Sequence, residues 1–200
     1  MASGFNFEIA LVTETIARLD DERIDAATAK IANLGVSTFD ELTVVTTLVH
    51  AGDAIEAGLR AAKALESSGI RVLRTYQDLV TRQDIASRLG VTRQAVGNWV
   101  RGERHDDTPF PSPVSLVAGG VWLWGDVVSW ARASNHAVDE EHFPSLNDHS
   151  RLDVLIASGV GAIGLSTYTG AAADLAFRPR GARPPMANTY QHQYSLAAAA

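Results

Sequence analysis

The chain has 200 residues, 46% of them hydrophobic, and a formal charge of −6, which suits one large domain or, as expected here, two small ones with a tail. It has no cysteine, which excludes disulfides, thiolate catalysis and cysteine-ligated zinc. The acidic balance argues against a protein coated in positive charge, because affinity for nucleic acid comes largely from neutralising phosphates.

The N-terminus MASGFNFEIA has no basic flank or apolar core of signal length, and no uninterrupted apolar run of about 18 residues occurs. A soluble, cytoplasmic protein with no membrane partner is expected. Residues 5–13, FNFEIALVT, alternate apolar and polar side chains and predict a half-buried strand. Asp20 or Asp21 offers an N-cap to a helix with Ile24, Ala27, Thr28, Ile31 and Leu34 on one face, stopped at Gly35. The β-branched stretch from Val36 to Val49 predicts one long strand or a hairpin turned near Asp40 and Glu41. Asp53 caps a second helix carrying Ile55, Leu59, Ala62 and Leu65, and the strand IRVLRTY follows. The order βαβ(β)αβ predicts an α+β fold, a ferredoxin-like sheet with two helices on one face, over residues 1–76. No catalytic constellation falls on it.

Charge then concentrates. From Arg82 to Arg104 five arginines (82, 88, 93, 101 and 104) face Asp84 and Glu103, a net of +3 that leaves −9 for the other residues. A basic island on an acidic body suits a module that meets DNA on one face and repels it elsewhere. Within RQDIASRLGVTRQAVGNWVR, Ile85, Leu89, Val91, Val96 and Trp99 fall where two short helices packed across a tight turn need apolar groups. Ala86 marks their closest approach, and Gly90 supplies the left-handed turn residue. Thr81 with Asp84 forms a capping box, and Thr92 caps the second helix. The outward side of that helix would present Thr92, Arg93, Gln94, Gly97, Asn98 and Arg101. Arginine matches guanine, and glutamine or asparagine matches adenine, through paired hydrogen bonds in the major groove. At the other helix ends, Thr81, Arg82, Gln83, Arg104 and His105 would hold phosphate.

This stretch resembles the helix-turn-helix of bacterial and phage regulators at the alanine, the glycine and all five core positions. The following FPSPVSLVAGGVWLWGDVVSW predicts a hairpin and a helix capped by Asp126, with Val127, Val128 and Trp130 inward and Phe110, Trp122 and Trp124 joining the core. That order is similar to MerR-type and excisionase-like winged domains over residues 77–134. The resemblance implies a winged helix-turn-helix domain, assigned to residues 77–135. Those families usually carry a basic residue in the wing hairpin, whereas SLVAGGVWLW has none.

Residues 136–200 lose clear periodicity and predict an irregular or disordered tail. GVGAIG at Gly159 to Gly164 matches a dinucleotide fingerprint, but only 36 residues follow it and no acidic residue lies about 20 positions on. No cofactor is expected. His136, Asp139, Glu140, Glu141, His142 and His149 match no ligand spacing, so no metal is expected either. Arg178, Arg180 and Arg183 form a basic arm or a solubilising tail.

The function expected is a sequence-specific, homodimeric, nucleoid-associated regulator of transcription, not an enzyme, whose N-terminal domain dimerises or senses a protein partner. The alternatives are an excisionase-like or architectural factor, a plasmid-maintenance protein, a DNA-binding antitoxin and, in another class, a protein-interaction module whose helix-turn-helix merely docks.

Overall fold

Alternating side chains make Phe5–Thr13 a strand, β1. The computed structural model describes residues 4–18, 20–103 and 108–159. Asp21 caps α1 (Glu22–Thr28), its carboxylate accepting from the Arg23 N–H. The Arg23 guanidinium also bonds this carboxylate and holds its pKa at about 2. Two strands follow, β2 (Gly35–Phe39) and β3 (Leu42–Ala51). Phe39 pairs with Leu42 across a two-residue turn in which Asp40 is left-handed, which decides for the hairpin over one long strand. Asp53 caps α2 (Ala54–Glu66) by accepting from the Glu56 N–H, and β4 (Val72–Thr75) completes the sheet.

The strand order is β2-β3-β1-β4, every neighbouring pair antiparallel. The protein is therefore α+β. Because strand side chains alternate, Phe7, Ile9 and Leu11 share a face with Val45, Val49 and Ala51, and all six are buried. The helix α2 packs against β1, β3 and β4 with Ile55, Leu59, Ala62 and Leu65 buried.

Two expectations need correction. The first helix ends at Thr28, short of Gly35, and only Ala27 on it is buried. Asn33 turns the backbone left-handed and Gly35 opens β2 by pairing with Thr46, so Ile31 and Leu34 lie in the connection that leads into the strand rather than on the helix. The second correction concerns residues 136–200, predicted to be irregular. Beyond the short β4, the outer side of β1 is bare, and the chain returns to fill it: the Glu8 N–H donates to the His142 carbonyl and the His142 N–H to the Asn6 carbonyl, at 2.9 and 2.8 Å.

A helix of twelve residues then follows (Leu146–Ala157), capped by a reciprocal Ser145–Asp148 box. It packs on β4 and α2, where Gly58 permits the approach: a Cβ there would lie 2.6 Å from Leu152 Cδ1. The Asp153 carboxylate accepts from the N–H and hydroxyl of Thr75 at 2.7 and 2.8 Å, closing part of the β4 edge. Residues from 160 onward, including most of GVGAIG and the arginine arm, lie outside the described residues.

His149 on this C-terminal helix is buried, and burial pushes its pKa below the ordinary 6.5, with Asp153 and Asp148 pulling the other way. As pH falls below the unfolded value, the unfolded chain takes up a proton that the folded ring refuses. Stability therefore drops from there until the folded ring titrates. The fall in thermal midpoint between about pH 7 and pH 5 is expected to be smaller in His149→Leu than in the wild type. Equal falls would refute the assignment.

The second half holds a two-stranded sheet and its own core. The described residues on either side of position 76 carry two sheets, of four and of two strands. Leu79–Val80 (β5) pairs with Trp122–Leu123 (β6). Between them lie α3 (Arg82–Arg88) and α4 (Arg93–Val100), and α5 (Trp124–Ala133) follows. The C-terminal helix is thus α6. No helix among the described residues is long and apolar enough to cross a membrane.

Candidate nucleic-acid interface

The helices α3 and α4 pack across a four-residue turn. Gly90 in that turn has φ +65°, which glycine adopts without steric cost, and the Val91 N–H donates to the Ala86 carbonyl at 2.9 Å to close it. Ile85, Ala86, Val96 and Trp99 are buried in one cluster with Val80, Trp122, Val127 and Trp130, and Leu89 and Val91 pack on its rim. Trp99 lies 4.8 Å from the Trp130 ring and 6.2 Å from Phe110. Both indole donors beneath are satisfied, Trp122 by the Pro111 carbonyl and Trp130 by that of Thr108. The apolar positions read from the sequence therefore set the rotation of α4.

With Val96 and Trp99 inward, Thr92, Arg93 and Gln94 are exposed at the start of α4. The Thr92 hydroxyl oxygen caps the helix by accepting from the Ala95 N–H. Arg93 and Gln94 make no side-chain hydrogen bond or ion pair among the described residues. The other half of the predicted surface differs. Gly97 is buried, not presented: Arg101, one turn on, folds back over it, so a Cβ would sit 3.4 Å from its Nη1. Arg101 donates to both Glu103 carboxylate oxygens at 2.6 and 3.2 Å and to Asn98 Oδ1 at 2.6 Å. The Glu103 bond raises the Arg101 pKa and lowers that of Glu103. Half-buried Asn98 thus has the oxygen it would offer an adenine amino group already occupied.

The residues predicted to hold phosphate divide in a similar way. Thr81 donates both its N–H and its hydroxyl to Asp84 Oδ2, at 2.9 and 2.7 Å, and keeps no donor for a phosphate. The capping box consumes them. Gln83 is exposed beside it, and the Arg82 guanidinium lies over the Trp122 ring, 5.7 Å from its centroid. Arg104 and His105 lie outside the described residues. Arg88 is turned elsewhere: it grips the Asp78 carboxylate at 2.5 and 3.1 Å, which raises its pKa, and covers the face of Trp124. It lines a cavity of about 340 Å³ with Glu8, Trp124, Val128 and Phe143, where the two cores meet. Burial, then Asp78 and Glu141, pushes the Glu8 carboxyl above its usual range. Among the described arginines of the basic island, Arg82 and Arg93 alone carry charge that no described acidic side chain bonds.

No protein-family model, curated protein or solved structure matches this chain.

The predicted hairpin is a short one. The Val114 N–H donates to the Val121 carbonyl and the Val121 N–H to the Ser115 carbonyl, and a 3-10 turn at Val117–Gly119 forms the tip. Asp126 is not the cap of α5, which begins two residues earlier with Leu123 at the cap position. The Trp124 N–H is held by the Asp78 carbonyl, and Gly125 lies against Phe143, where a Cβ would fall 2.7 Å from Phe143 Cβ. These contacts start the helix early and leave Asp126 in its first turn, its carboxyl pushed up by burial. Sequence reasoning missed the contribution of Asp78, whose carboxylate and carbonyl anchor α3 and α5.

Proposed function

We propose that the chain is a sequence-specific double-stranded DNA-binding regulator that reads the major groove with the first turn of α4, and that residues 77–135 form a winged helix-turn-helix of MerR-like or excisionase-like kind. One observation carries this reading: Trp99 and Val96 are locked inward while Arg93 and Gln94 stand exposed, without a partner among the described residues, at the N-terminus of the same helix. Arginine donates two parallel bonds to guanine O6 and N7, and glutamine matches adenine N6 and N7. The acidic remainder of the molecule repels DNA and orients the encounter.

Reading is concentrated in Thr92, Arg93 and Gln94. Asn98 and Arg101 join once the duplex draws Arg101 away from Glu103, and Arg82 and Gln83 contact the backbone. Two copies on half-sites about 34–36 Å apart would read a palindrome.

Selection of bound fragments from random duplex DNA, followed by sequencing, identifies the site. Arg93→Ala is expected to relax preference at one base pair and to cost about 1–3 kcal/mol in binding there. Arg82→Ala should weaken all sequences alike. Binding that is indifferent to salt, or an unchanged preferred site in Arg93→Ala, would overturn the proposal.

A further inference from the structure

The hairpin between Ser115 and Val121 carries apolar side chains where a phosphate-binding wing would carry cations. From Thr108 to Gly125 there is no charged residue. At the tip Leu116 is 80% exposed and Val117 66%, among the most exposed large apolar side chains described. They project from a fixed support. Ala118, Gly119 and Gly120 all have positive φ, the Gly120 N–H donates to the Val117 carbonyl, and a Cβ on Gly120 would lie 2.5 Å from the Trp122 ring.

Strand register shows where the tip lies. Leu79 faces Leu123 and Val80 faces Trp122. One step further, Thr81 opens α3 on one side while Val121 bridges Ser115 on the other. The tip therefore extends from the end of the two-stranded sheet at which α3 begins, beside Arg82 over the Trp122 ring. A neutral projection at that place has no means to clamp phosphate, but it brings no charge that a polyanion would repel.

We propose that Leu116 and Val117 form an apolar wedge which, with α4 in the major groove, enters the neighbouring minor groove, presses between base pairs and bends the duplex. This rests on the reading of α4 as the DNA-binding helix. Apolar wedges that unstack a step kink DNA by roughly 20–90° and are repaid by wider contact. The partner is thus a deformable duplex, favoured where a flexible pyrimidine–purine step lies under the tip.

The test uses the full chain and its selected duplex, with bending read from circularly permuted fragments and from energy transfer between labelled ends. The wild type is expected to bend the site. Leu116→Ser with Val117→Ser should abolish the bend and weaken binding about tenfold, leaving the base preference set by Arg93 and the salt slope unchanged, since no charge is removed. Leu116→Met should keep the bend. Leu116→Lys should lose it while steepening the salt slope by about one. These side chains are exposed, and a thermal melt checks that each variant folds.

A straight complex with the wild type, or an undiminished bend in the double variant, overturns the wedge while leaving the reading of α4 intact. A changed sedimentation mass in the double variant with the bend retained also overturns it, and assigns the tip to a second copy of the chain. If the wild type binds no duplex in an Arg93-dependent manner, the reading of α4 fails and the wedge with it.

Discussion

Trp99→Ala is expected to destabilise the protein by about 3–5 kcal/mol and to abolish the proposed DNA binding through loss of structure. Trp99 is 5% exposed and touches Trp130, Phe110 and His136 in one aromatic cluster, so its removal opens a cavity where α4 meets α5. Trp99 and Val96 together fix the rotation of a helix only eight residues long, since isolated helices of that length are unstable in water. A loss of this size is a large share of the 5–15 kcal/mol typical of a native protein. Urea denaturation followed by far-ultraviolet circular dichroism should show the lowered midpoint, and Trp99→Phe should retain much of it. A shift below about 1 kcal/mol would mean that α4 is held by other contacts.

Asp153→Ala is expected to cost about 1.5–3 kcal/mol, because a carboxylate accepting two hydrogen bonds from Thr75 is deleted and a partly buried backbone donor loses its partner. Loosening should spread to α6, whose other anchors are the buried His149, Leu152 and Ile156. Hydrogen exchange gives the readout: the Thr75 amide and the amides of α6 should exchange faster than those of β1 and β3. Asp153→Asn, which keeps an acceptor, should fall between variant and wild type. Unchanged protection at Thr75 would refute the role assigned to Asp153.

The N-terminal fold was legible because its signals are local and mutually consistent. Asp21 and Asp53 stand before helical spacing, and the alternation in FNFEIALVT places Ile9 and Leu11 on the buried face. Helix α6 has a weaker trace in the sequence, the reciprocal pair Ser145 and Asp148 with His149, Leu152 and Ile156 along one face. A histidine among its inward residues weakens the apolar stripe, and the surface that buries it, near Gly58 and β4, comes from residues far away in the chain.

For the site, the core of the α3–α4 pair was legible and the state of its arginines was not. Ile85, Ala86, Gly90, Val96 and Trp99 obey spacing rules that hold within twenty residues, so their roles follow from order alone. Whether an arginine faces a groove depends instead on which carboxylate lies within reach. Asp78 claims Arg88, while Glu103 and Asn98 hold Arg101 over Gly97.

By itself, the amino-acid sequence determined the positions of β1, α2, α3 and α4, the caps of those three helices and the inward side of α4, because backbone propensity and side-chain periodicity act between neighbours. Only the tertiary structure decided that the chain returns at His142 to extend the first sheet, that α6 closes part of the β4 edge, and that Arg88 and Arg101 are paired while Arg93 has no partner among the described residues. Those outcomes turn on distances between groups remote in sequence, and short-range electrostatics and hydrogen bonding respond to distance rather than to order along the chain.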